Sequence, residues 1–176
     1  MRKLLICFFL ANVILTLISL LILPSEVAIH FGRNGIPDSW APKETNAIIF
    51  LVIQLPLFIL FYSASILPLK IPPKLLSLPN KNYWLKEENI SRIKPQLVSL
   101  MLEFGCALFT FLLGTGLLTL EANLSDPVRL NEAIFFPLFI AFMIFTGYWC
   151  VKFTMAFKIP GTKKGHKQDT TAPGTE

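Results

Sequence analysis

Residues 4–23 read LLICFFLANVILTLISLLIL, a run in which Asn12, Thr16 and Ser19 are the only polar side chains. About 20 such residues wound as a helix cover the ~30 Å hydrocarbon core of a bilayer. Arg2 and Lys3 ahead of the run resemble the basic start of a signal peptide. The apolar stretch is longer than the usual ~7–15 residues of such a peptide. Pro24-Ser25-Glu26 stands where a small-x-small cleavage site would be. The segment therefore reads as a retained membrane helix.

Three more runs follow the same pattern, over about 47–69 with Gln54 and Pro56, 97–120 with Glu103, and 133–157 with Pro137. The predicted class is an all-α membrane protein of about four transmembrane helices filling residues 1–157. An outer loop at 24–46, folded as a small hairpin, and an inner loop at 70–96 join the spans. A basic tail at 158–176, rich in Gly, Lys, Thr and Pro, is expected to be disordered. Composition agrees: 53% of the 176 residues are hydrophobic, 15% are charged, and 16 are Phe. One soluble core of this size cannot hide so much apolar surface.

The net charge of +5 is topological, because the basic residues flank apolar runs. Thirteen of the 16 Lys and Arg fall at the N-terminus, in 70–96 and after residue 151; only Arg33, Lys43 and Arg129 lie elsewhere. The positive-inside rule then predicts cytoplasmic N- and C-termini and a multi-pass protein of the plasma (inner) membrane. An even number of spans agrees. No basic-and-aromatic stripe or zinc-ligand spacing supports nucleic-acid binding. Cys7, Cys106 and Cys150, each inside an apolar run, read as small buried hydrophobes.

The outer loop, LPSEVAIHFGRNGIPDSW over residues 23–40, is richer than a connector needs. Val27, Ile29 and Phe31 alternate as in a short strand. Asn34-Gly35 is a turn signal, since both residues tolerate positive φ. Pro37 and Asp38 follow, and Trp40 suits the headgroup level. The expected arrangement is a hairpin lying on the membrane surface. His30 and Asp38 have chemical range, but one His and one carboxylate are too few for a metal site. In the inner loop, Asn80, Tyr83 and Trp84 lie in PNKNYWL, with Tyr83 and Trp84 read as an interfacial aromatic pair. From Lys86, the positions of Ile90, Ile93 and Leu97 suggest an amphipathic helix running into the third span, with Pro95 as a kink.

These segments resemble the bacterial membrane-protein family called domain of unknown function 1648. The resemblance lies in Leu23-Pro24, Ile29-His30-Phe31, Gly35-Ile36-Pro37-Asp38 and Trp40, then in Pro79-Asn80-Lys81-Asn82-Tyr83-Trp84-Leu85. Ala28 stands where Pro is common in the family, and Asn82 where Asp is common. Some members carry this domain ahead of a region similar to the Sdp toxin-immunity protein. The resemblance therefore implies peptide-toxin immunity and signalling through the membrane.

Within the spans, Glu103 is the ionisable group to weigh, because a carboxylate there usually faces protein or water. Its expected partner is Lys94 or Lys70. Gln54 and Asn12 can hydrogen-bond between helices, and Gly114-Thr115-Gly116 lets two helices approach closely. Nothing in the chain matches a phosphate-binding loop, a metalloprotease helix or a nucleophile elbow. No enzyme activity, cofactor or metal is expected. The leading reading is a binding, signalling or immunity-type component that meets a peptide or membrane protein through its outer loop. The alternative is a small transporter or transporter accessory with Glu103 and Gln54 lining the path.

Overall fold

The computed structural model describes residues 1–66, 72 and 79–159, and only the backbone at Glu87 and Ile90. Helix α1 spans Arg2–Ile22. Leu23 then adopts an extended conformation, as a residue before proline does. Strands β1, Glu26–Phe31, and β2, Pro37–Pro42, pair antiparallel around a single 3₁₀ turn at Arg33–Gly35. Helix α2, Lys43–Ala64, starts at once from β2, and the Lys43 N–H donates to the Ser25 carbonyl at 3.1 Å. A short helix α3, Lys81–Trp84, leads into α4, Glu87–Leu124, and α5 spans Glu132–Ala156.

Four of these helices are long and apolar enough to cross a membrane, and the chain is a multi-pass membrane protein. The hairpin and the 125–131 connection lie at one end of the bundle, called here the hairpin end.

One boundary differs from expectation. Helix α2 begins at Lys43 rather than 47 and gives way to a turn at Ser65–Ile66; residues 67–69 lie outside the described part. The segment after Lys86 runs into the third span as expected, and the two form one 38-residue helix that contains Pro95. A proline removes one N–H from the ladder, and neighbouring contacts can carry a helix past it. Lys70, the other partner expected for Glu103, and the tail from 160 onward also fall outside the described residues.

Helix α1 packs on both α2 and α4, and α2 also touches α4. Away from the hairpin end their interior is sealed by Leu5, Phe61, Leu102, Cys106 and Phe109. Phe9 stacks on Phe58 at 4.1 Å between ring centres and meets Phe109 edge-on at 5.9 Å. Helix α5 packs chiefly along α4, and none of its residues is buried. The Gly114-Thr115-Gly116 segment serves two neighbours. A Cβ on Gly114 would lie 2.8 Å from Leu138 Cδ2 of α5, and one on Gly116 3.0 Å from Leu15 Cδ2 of α1.

Most of the remaining helical surface is apolar and exposed, with Leu17, Leu21, Val52, Ile144 and Met155 among its residues. Such a surface is complementary to lipid, because every helical backbone group is already satisfied internally.

Candidate functional site

The hairpin is where chemistry-bearing side chains gather. Asn34 and Gly35 both take positive φ, 61° and 68°, which turns the chain sharply between the strands. Two register shifts distort the ladder. Ala28 faces Trp40 and His30 faces Ser39, leaving Ile29 unpaired; Phe31 then faces Pro37, leaving Asp38 unpaired. A bulge re-aims the side chain it carries. Here Asp38 Oδ1 meets His30 Nδ1 at 2.5 Å, and the two side chains remain 68% (His30) and 52% (Asp38) exposed. Trp40 is 47% exposed on β2.

The other face of the hairpin is fixed to the bundle. Val27 and Ala28 are fully buried. The Ala28 N–H donates to Asn123 Oδ1 at 2.7 Å, while Asn123 Nδ2 donates to the Ala28 carbonyl at 3.0 Å. At the turn, the Leu130 N–H donates to the Gly35 carbonyl at 2.9 Å, and Arg129 Nε to the Asn34 carbonyl at 2.8 Å. A Cβ on Gly35 would stand 2.3 Å from the Leu130 carbonyl oxygen, so only glycine allows this approach. The hairpin is thus docked on the end of α4 and on the 125–131 connection. Neither Asn123 nor Arg129 stood out in sequence. Both are polar residues at a helix end, where a local cap is the ordinary account.

Asn80, Tyr83 and Trp84 lie at the other end of the bundle, where Asn80 and Trp84 serve as a helix cap. Asn80 Nδ2 and Trp84 Nε1 each donate to the Phe157 carbonyl at 2.9 Å, and Gln96 Nε2 donates to the Ala156 carbonyl at 3.1 Å. These carbonyls belong to the last turn of α5, which lacks intrahelical partners. Trp84 was expected at the lipid interface but is buried, edge-on to Phe157 and clustered with Ile93 and Leu100. Its indole N–H has the better partner inside. Tyr83 packs edge-on to Trp84 and is half-buried.

The intramembrane polar residues separate into two places. Glu103 binds Lys152 of α5, with Nζ 2.7 Å from Oε1 and 2.6 Å from Oε2. The expected partner Lys94 is nine residues back on the same helix, roughly 14 Å along its axis. Gln54 and Asn12 meet instead between α1 and α2, with Gln54 Nε2 3.5 Å from Asn12 Oδ1. Asn12 Nδ2 also donates to the Phe109 carbonyl of α4 at 3.0 Å. Glu103 and Gln54 line different cavities. Among the described residues, no three His, Cys, Asp or Glu side chains come together as a metal site would require.

Residues 7–60 match the family model described as a domain of unknown function, DUF1648. The matched segment covers most of α1, the whole hairpin and most of α2. No curated protein and no solved structure matches the chain.

Proposed function

We propose that this protein is a binding or signalling component of the plasma membrane, of the immunity or signal-transmitting kind, and that the hairpin is its recognition element. The distribution of Lys and Arg supports an extracytoplasmic hairpin and cytoplasmic termini. One observation carries the recognition reading. The hairpin is held stiffly by its inner face, while its outer face leaves His30, Asp38 and Trp40 open. A loop that merely connects two spans needs no such clamp. Preorganisation lowers the ordering cost of binding, and an exposed aromatic beside a hydrogen-bonded His–Asp pair is the composition of a contact patch. The partner that fits is a peptide or membrane protein with a polar, hydrogen-bonding surface.

Photocrosslinking in living cells tests this reading, with a probe at Arg33 or Ile36 of the turn and a lipid-facing control at Leu21. A discrete adduct from the turn positions, absent at Leu21, is the expected result. Adducts to lipid alone, the same at all three positions, would refute a recognition hairpin. Cysteines at Arg33 and Asn82 test orientation with an impermeant reagent, and only the first is expected to react from outside.

A further inference from the structure

A narrow crevice between α1, α2 and α4 runs from Leu23 and Lys43 at the hairpin end down to Asn12 and Gln54. Gln54 lies eleven residues beyond Lys43, about 16 Å along the helix and so about midway through a bilayer. The walls are polar for a membrane interior: Thr16 and Ser19 from α1, Asn46 from α2 and Thr119 from α4. The three hydroxyls donate to carbonyls of their own helices, which leaves their lone pairs available as acceptors.

Two amides there are under-used. Gln54 is 2% exposed; its Nε2 reaches Asn12 only at 3.5 Å, and its Oε1 has no donor. Asn46 is 7% exposed and makes no side-chain hydrogen bond to any described residue. Among the described residues, Gln54 Oε1 is the one fully buried side-chain polar atom without a partner; that is costly, and in a bilayer no lipid tail can supply one.

The crevice has about 20 Å³ of room for the centres of water molecules. A single water needs roughly 10–15 Å³. Below Asn12 the rings of Phe9, Phe58 and Phe109 close the way, so the crevice is blind. Lys43 lines its upper part, with Nζ donating to the Leu23 carbonyl at 3.1 Å, and no carboxylate lines it.

We propose that this crevice is a hydrated binding site, entered from the hairpin end, for the hydroxyl or primary-amide end of a small polar molecule. The deep O–H or N–H donates to Gln54 Oε1, water fills the site at rest, and Lys43 favours negative charge near the mouth. The site lies inside the bundle, and it stands or falls independently of what the hairpin recognises.

Cysteine accessibility in the full chain tests the proposal, with Cys7, Cys106 and Cys150 replaced by Ala. Single cysteines go at Ser19, Asn46 and Gln54, with Val52 as a lipid-facing control and Arg33 to report the hairpin side. The probes are small impermeant methanethiosulfonates, one anionic and one cationic. Ser19 and Asn46 should react at least tenfold faster than Val52, from the same side as Arg33, and Gln54 should react more slowly than Asn46 but above the control. The anionic reagent should outrun the cationic one, and Lys43→Gln should abolish that preference. Rates at Ser19 and Asn46 no faster than at Val52 would identify a dry packing gap and overturn the proposal.

Acetamide supplies a second readout that spares the fold. It should slow labelling at Asn46 about threefold, and Gln54→Leu should remove that protection. Absence of protection in the Gln54 background would overturn the amide-binding assignment.

Discussion

The carboxamide of Asn123 closes a two-bond ring on Ala28, accepting from its N–H at 2.7 Å and donating to its carbonyl at 3.0 Å. An amide side chain presents the same donor and acceptor pair as a peptide unit. Asn123 therefore does for β1 what one residue of a third strand would do. The sheet has only two strands, and its inner edge ends on a helix instead. A two-stranded hairpin alone is marginal in water, so this contact bears on whether the hairpin is ordered at all.

Asn123→Ala strands two buried backbone groups, each worth about 1–3 kcal/mol when left unpaired. The variant should unfold at lower temperature in detergent, and its hairpin should be cleaved faster by added protease. Asn123→Asp should do no better, because a carboxylate cannot donate to the Ala28 carbonyl. Wild-type protease resistance in both variants would mean that the apolar contacts of Val27 hold the hairpin unaided.

Gly35→Ala should be far more damaging than Asn34→Gly, although both positions have positive φ. At Gly35 the added methyl meets the Leu130 carbonyl at 2.3 Å, while at Asn34 the change only removes a side chain and glycine suits its φ of 61°. A residue forced into a sparse backbone region costs about 1–3 kcal/mol even without a clash. Thermal unfolding of the two variants, compared directly, decides the point.

Asn80 and Trp84 share one acceptor, the Phe157 carbonyl. Asn80→Gly, which suits the φ of 54° there, or Trp84→Phe alone leaves that carbonyl one donor and should be tolerated. The double variant should lose more than the sum of the two, since only then is the carbonyl orphaned. A double-mutant cycle on unfolding free energy measures the coupling, expected at about 0.5–3 kcal/mol for groups that share a partner. Strict additivity would argue against a shared cap.

Glu103→Gln and Lys152→Met should each lower membrane abundance and detergent stability, because each leaves one charge without its partner inside the span. The double variant should recover part of the loss. Continued decline in the double variant would show that the pair does more than neutralise itself.

The four spans and the hairpin were legible because each is written locally, as twenty-odd apolar residues or as an alternation ending in Asn-Gly. What could not be read was pairing at long range. Lys152 was counted with the basic residues that set topology, and nothing near it in sequence points to Glu103, 49 residues away. Trp84 looked interfacial because it follows Tyr83 in a basic loop. Its burial depends on where α5 ends, 73 residues later. Gln54 and Asn12 were expected to bond between helices and do. The crevice they share with Asn46 depends on how three helices splay apart, which no single helix encodes.

The cap on α5 bears on the order of assembly. The chain is made from its N-terminus, so Asn80, Trp84 and Gln96 exist before the carbonyls of Ala156 and Phe157 that they bind. Helices α1, α2 and α4 can close around their aromatic seal first, and α5, with nothing buried in it, then arrives at a receptor already built. For this helix, insertion into the membrane and docking are separable events, and the second waits on the first.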